Sequence, residues 1–157
     1  MGLTIAIDDP RADDVRALLD RHLAFCREVT PAGHVHALEP SGLLEPDVAL
    51  FSARQDGVLL GVAALRRLDG DHAELKSMHT LAAARGRGVG RTLVDHILEL
   101  AAARGLRRVS LETGTMEAFG PARSLYKKLG FVPCDPFGEY TANPHSVCMT
   151  IALDARR

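Results

Sequence analysis

Between residues 85 and 91 the chain reads Arg85-Gly86-Arg87-Gly88-Val89-Gly90-Arg91. Alternating glycines let successive backbone N–H groups turn toward one point. Where such a loop opens a helix, the helix dipole adds positive potential at that point. Three arginines add formal charge, and a pyrophosphate is the ligand this arrangement suits best. The spacing is neither a P-loop, which needs Lys-Ser/Thr after its last glycine, nor the GxGxxG of a dinucleotide fold. A tight glycine turn with solvated arginines is the plainer alternative. Tyr126 is a second group of interest, because a phenol with a pKa of about 10 keeps its proton at neutral pH and can pass it to a leaving group. Its alternative is to pack on the apolar face of a helix beside Leu125 and Leu129. Glu74 and Glu112 are carboxylates, groups that could act as general bases or hold a cation. Lys76 lies two residues from Glu74, hence on the same strand face, where a cation would turn the carboxylate into half of a salt bridge and weaken it as a base.

Two of these segments carry a family resemblance. Arg85-x-x-Gly88-x-Gly90 resembles the Arg/Gln-x-x-Gly-x-Gly/Ala signature of the GNAT superfamily of acyl-CoA-dependent N-acyltransferases. Ala122-Arg123-Ser124-Leu125-Tyr126-Lys127-Lys128-Leu129-Gly130-Phe131 is similar to that family's A-x-x-L-Y-x-x-x-G-F helix and turn. The resemblance spans roughly residues 3–153, and within it Glu74–Met78, Leu111–Gly114 and Pro136–Tyr140 look like a subgroup of small bacterial proteins. It implies that Arg85, Gly86, Arg87, Gly88, Val89, Gly90 and Arg91 hold the coenzyme A pyrophosphate. It further implies that Met78, His79 and Thr80 pair with the pantetheine arm like an added strand, a backbone N–H there polarising the thioester carbonyl. Tyr126 would protonate the departing thiolate. Glu74, eleven residues before Arg85, stands where histone-acetylating relatives place their base, and Glu112 is a second base candidate or an anchor for the substrate ammonium. The family often has Asn seven residues before its tyrosine; Phe119 stands there instead, so that contact is lost or passes to backbone around Phe119-Gly120. Arg123, one turn before Tyr126, could reach a coenzyme phosphate or lie in solvent. His36, Tyr140 and His145 fall in loops that line the acceptor pocket in this family.

The elements that must position these groups are legible in the periodicity. A strand over 3–7 precedes Asp9-Pro10, read as an N-cap with proline at the first helical position, and an amphipathic helix over 10–28 carrying Val15, Leu18, Leu19, Leu23 and Cys26. A loop over 30–46, with one helical turn near 40–45, leads to strands 47–54 and 58–68 joined at Asp56-Gly57, a hairpin signal. A fourth strand over 72–80 ends before the glycine loop, which opens a helix running to about Gly105. A strand over 107–112, a helix from Pro121 to Gly130, extended chain at 131–134 and a last strand over 147–153 complete the pattern. The fold class is α+β (mixed α/β): a central sheet of six or seven strands, antiparallel in its first half with the fourth and fifth parallel, flanked by helices.

Composition sets the outer limits. With 157 residues, 46% hydrophobic and 25% charged, the chain suits a single domain over 1–157. A net charge of −1 and seven aromatic residues, none of them Trp, argue against nucleic acid or an anionic membrane as partner. Cys26, Cys134 and Cys148 lack any zinc-ligand spacing and read as reduced thiols; no signal peptide or membrane span is evident, and the expected location is cytoplasmic. No metal is expected. The resulting expectation is an N-acyltransferase moving an acetyl group from acetyl-CoA to a small-molecule amine by direct attack in a ternary complex. The alternatives are a non-catalytic acyl-CoA sensor and an enzyme acting on a protein amine. Exposed strand edges leave room for a homodimer.

Overall fold

The computed structural model describes residues 2–36 and 40–153; residues 37–39 of the expected loop and both chain ends lie outside the described residues. Seven strands form one sheet: β1 (Thr4–Ile7), β2 (Val48–Gln55), β3 (Val58–Arg67), β4 (His72–Thr80), β5 (Arg108–Gly114), β6 (Val132–Cys134) and β7 (Ser146–Ala152). Their order is β1-β2-β3-β4-β5-β7-β6, with β4 and β5 parallel and every other pair antiparallel. The mixed sheet is therefore as expected. Among the described residues three α-helices flank it: α1 (Asp13–Val29), α2 (Val89–Ala103) and α3 (Gly120–Leu129).

Strand alternation divides the core between the two faces. Leu50, Leu59, Val62 and Ala64 meet Val15, Leu18 and Leu19 of α1. Phe51, Leu60, Ala63, Leu65, Ala73 and Leu75 meet Val89, Leu93, Val94 and Ile97 of α2, together with Tyr126 and Leu129 of α3. Asp56 and Gly57 both take positive φ (52° and 82°), the primed turn that matches the twist of the β2–β3 hairpin.

One helix start departs from expectation. Asp9 does not cap α1: its carboxylate accepts the Arg11 N–H (2.9 Å), closing a turn around Pro10, and the helix begins at Asp13 after an extended Ala12. Tertiary pairing explains the delay, because Arg54 on β2 binds Asp8 before the turn and Asp14 after it.

Candidate active site

The site is built where β4 leaves β5. Their pairing covers only His72↔Arg108, Ala73↔Val109 and Glu74↔Ser110. Beyond it β5 stays paired to β7 as far as Gly114, and β4 stays paired to β3 as far as Thr80, so the two central strands part. In the same stretch β4 carries an extra residue. Lys76 pairs with Ala64 but His79 pairs with Val62, leaving Ser77 and Met78 opposite the single Ala63. Ser77 has φ 54°, the left-handed conformation that such a bulge normally gives to glycine. The bulge reverses the facing of the strand. Glu74 and Lys76 point away from Ala73 and Leu75, yet Met78 packs with Leu75 on the α2–α3 side while His79 turns to α1.

A cavity of about 100 Å³ lies at the divergence, with walls that include His22, Glu74, Lys76, Ser77, Met78, Glu112, Phe119 and Tyr126. Glu74 and Lys76 form a buried ion pair (3.2 Å). The Tyr140 hydroxyl donates to the same Glu74 oxygen, and Lys76 Nζ donates to Tyr140 Oη (2.7 Å) and to the His36 carbonyl (3.3 Å). Burial first, and then the Glu74 carboxylate, hold the Tyr140 phenol well above its ordinary pKa. His36 itself is exposed, its ring edge-on to Tyr140 at 5.1 Å. Glu112 faces the same cavity with fewer partners. Desolvation raises its pKa above the ordinary glutamate value, outweighing the lowering by a Ser146 hydrogen bond and by His36 and Lys76, and Glu74 adds to the rise.

Tyr126, 6% exposed, donates to Met78 Sδ at 3.8 Å, a weak sulfur acceptor, and burial raises its pKa so that it stays protonated. His79 stands against His22 (Nδ1 to Nδ1 3.2 Å), and burial drives both imidazoles down to about 4. Phe119 packs edge-on to Phe25 and lies directly on Gly114, where an added Cβ would stand 2.4 Å from its ring. That contact requires glycine at the end of β5. Arg123 donates through Nη1 to the Gly114 and Met116 carbonyls (2.7 and 2.9 Å), so its guanidinium ties down the loop after β5 instead of standing in solvent.

The glycine loop closes the other end of the groove. Gly86 and Gly88 take φ 78° and 79°, and α2 starts at Val89 with no side chain capping its first turn. Val89 is buried under the loop, while Arg85, Arg87 and Arg91 are exposed around it; Arg87 bonds Gln55 (2.7 Å). Gly90 sits 3.2 Å, by its added Cβ, from Leu125 of α3, and Thr80 lies beside it. Open N–H groups, a helix N-terminus and exposed arginines together fit a polyphosphate. Among the described residues, no cluster of three metal-binding side chains occurs and no helix is long and apolar enough to cross a membrane.

Sequence reasoning missed three things here: the Ser77 bulge, the His22–His79 pair, and the joining of Glu74, Lys76 and Tyr140 into one buried cluster. The slip of the apolar period in β4, from Ala73 and Leu75 to Met78, was the available signal for the first. A second, wider groove of about 440 Å³ at the other end of β2–β4 is lined by Val48, Leu65, Leu100 and Arg104, and none of the residues singled out from sequence borders it.

The profile of the Acetyltransferase (GNAT) family matches residues 15–131. An uncharacterized N-acetyltransferase of Bacillus subtilis is 42% identical over 149 residues, covering 95% of this chain and 99% of that one. A crystal structure from Klebsiella pneumoniae superimposes with a TM-score of 0.79 at 24% identity, covering 96% of this chain and 97% of the other. An aminoglycoside 6'-N-acetyltransferase solved with coenzyme A gives a TM-score of 0.72 at 16% identity, covering 96% and 97%.

Proposed function

The chain belongs to the GNAT acetyltransferase family, and on that premise we propose that it moves the acetyl group of acetyl-CoA to the amine of a small molecule by direct attack in a ternary complex. The observation that carries this reading is the parting of β4 from β5 after Glu74↔Ser110, with Tyr126 and Glu112 both facing the gap. The free edge of Met78, His79 and Thr80 offers backbone groups to the pantetheine amides, as an added strand would use them. The N–H groups of the loop from Gly86 to Gly90 receive the pyrophosphate, with Arg85 and Arg91 as counter-charges. Arg123 acts indirectly, by fixing the loop that carries Phe119, and Phe119 supplies a wall rather than a polar contact.

The proton flow follows from which groups are already engaged. Glu74 Oε2 accepts from both Tyr140 and Lys76, so Glu74 serves the architecture of the pocket. Glu112 is the carboxylate that takes the ammonium proton: its raised pKa makes it a stronger base than an ordinary glutamate. The amine nitrogen then attacks the thioester carbon, the carbonyl electrons move to oxygen, and their return breaks the C–S bond. The departing sulfur takes a proton from the Tyr126 hydroxyl, which has no partner stronger than a thioether, and the second proton that the attacking nitrogen sheds on becoming an amide restores the phenol. His36 and Tyr140 border the acceptor side, and the small cavity suits a compact amine.

Calorimetric titration with acetyl-CoA, followed by an amine panel read through release of free coenzyme A thiol, tests the proposal. Micromolar binding and amine-dependent thiol release are expected. Failure to bind acetyl-CoA would overturn the proposal, and binding without turnover of any amine would favour a sensor.

A further inference from the structure

The bulge in β4 leaves one hydroxyl unexplained. Ser77 lines the cavity and is 8% exposed. Its Oγ is the one buried side-chain oxygen or nitrogen among the described residues without a hydrogen-bond partner. A buried hydroxyl left unpaired costs about 1–3 kcal/mol, and alanine at the same place would avoid that cost. The backbone there is also unfavourable for any residue but glycine, at φ 54°. Of the two non-glycine residues with positive φ among the described residues, Asp56 is accounted for by its hairpin turn, which leaves Ser77. Two local penalties at one position, inside the cavity and at the point where β4 leaves β5, suit a ligand contact better than a fold requirement.

We infer that the Ser77 hydroxyl donates a hydrogen bond to the acetyl carbonyl oxygen of the bound thioester. This rests on the acetyl-CoA reading above. Ser77 lies in β4 between Lys76, which faces the acceptor side, and Met78, the residue on which the Tyr126 hydroxyl rests. The reacting carbon must lie between the amine that Glu112 receives and the sulfur that Tyr126 protonates, and Ser77 borders that interval. Serine has a single side-chain torsion, so one rotamer change turns Oγ toward a ligand without moving the backbone. As the amine attacks, the carbonyl oxygen gains the electron pair, and a donor already fixed there strengthens its bond as charge develops. The serine keeps its proton throughout. The hydroxyl thus acts beside a backbone N–H of the same bulge and distinguishes acetyl-CoA from free coenzyme A.

The test is titration of the wild type, Ser77→Ala and Ser77→Gly with acetyl-CoA and, separately, with coenzyme A. Both variants are expected to bind coenzyme A as the wild type does and to lose up to about tenfold in affinity for acetyl-CoA, the worth of one ordinary hydrogen bond. The infrared band of a ¹³C-labelled thioester carbonyl is expected to move to higher frequency in both. Their melting temperatures should equal or exceed the wild type's, since Ala removes an unpaired hydroxyl and Gly relieves the backbone. Unchanged affinity for acetyl-CoA with an unmoved carbonyl band would overturn the inference. Equal weakening of both ligands would overturn it too, showing a structural role. Wild-type protein that binds neither ligand would overturn the acetyl-CoA reading itself.

Discussion

The two halves of β4 differ in how their polar groups are satisfied. From His72 to Glu74 the strand is paired on both sides, and the charges that follow its face, Glu74 and Lys76, are closed into a cluster by Tyr140 and the His36 carbonyl. From Ser77 to Thr80 it is paired only to β3, and the groups around it are poorly matched: an unpaired Ser77 hydroxyl, a Tyr126 phenol on a thioether, and a Glu112 carboxyl whose pKa burial has raised. Buried polar groups in proteins are normally paired. A half-strand that satisfies its own groups next to one that does not therefore separates architecture from binding. On the proposed reading the two glutamates then have different tasks, although they face one cavity.

The difference can be broken from either side. The largest effect is expected at Tyr126→Phe, which removes the acid and leaves the ring in place: kcat should fall by about 10²–10⁴-fold while acetyl-CoA binding is unchanged. Turnover surviving intact would remove Tyr126 from the chemistry. On the architectural side, Lys76→Ala leaves the Glu74 carboxylate buried beside Tyr140 without its cation and should cost about 3–5 kcal/mol of stability, read by urea denaturation. A loss of activity with no loss of stability would show that the pair serves chemistry instead.

Glu112→Gln is expected to lower kcat/KM by about 10²-fold and, more tellingly, to change the pH profile. With the carboxyl held above its ordinary pKa, activity should fall as pH drops through that raised value, with an acid limb lying higher than a normal glutamate's. Gln at 112 should abolish the limb, whereas Glu74→Gln should leave it in place. The smallest effect concerns the His22–His79 pair. Both are neutral in the fold down to about 4 but titrate at 6.5 when unfolded, so the unfolded chain takes up protons first. Their contribution to stability is present above pH 6.5 and is lost as pH falls toward 4. Urea midpoints measured at steps through that window should decline, and less steeply in His22→Asn.

Much of this was readable in the residues, and what was not has a physical cause. The β2–β3 hairpin was legible because Asp56-Gly57 is a local signal that needs nothing beyond itself, and the glycine loop because its backbone must adopt positive φ at Gly86 and Gly88. Asp9 misled because the same carboxylate can close a turn or cap a helix, and the choice was made by Arg54, far along the chain. The buried cluster around Glu74 was hidden for a similar reason: its partner two residues away was visible, but Tyr140 reaches it across 66 positions. The bulge escaped because Ser77 is not the glycine that such a position favours. That mismatch is what makes it informative once seen.

The most direct test of the central claim, that the parted edge of β4 and the glycine loop receive acetyl-CoA, is backbone hydrogen exchange with and without coenzyme A. The account predicts slowed exchange at Met78, His79 and Thr80 and through residues 86–91, with little change from His72 to Lys76. Protection appearing instead around Val48, Leu65 and Leu100, in the wider groove at the other end of the sheet, or nowhere in β4, would contradict it.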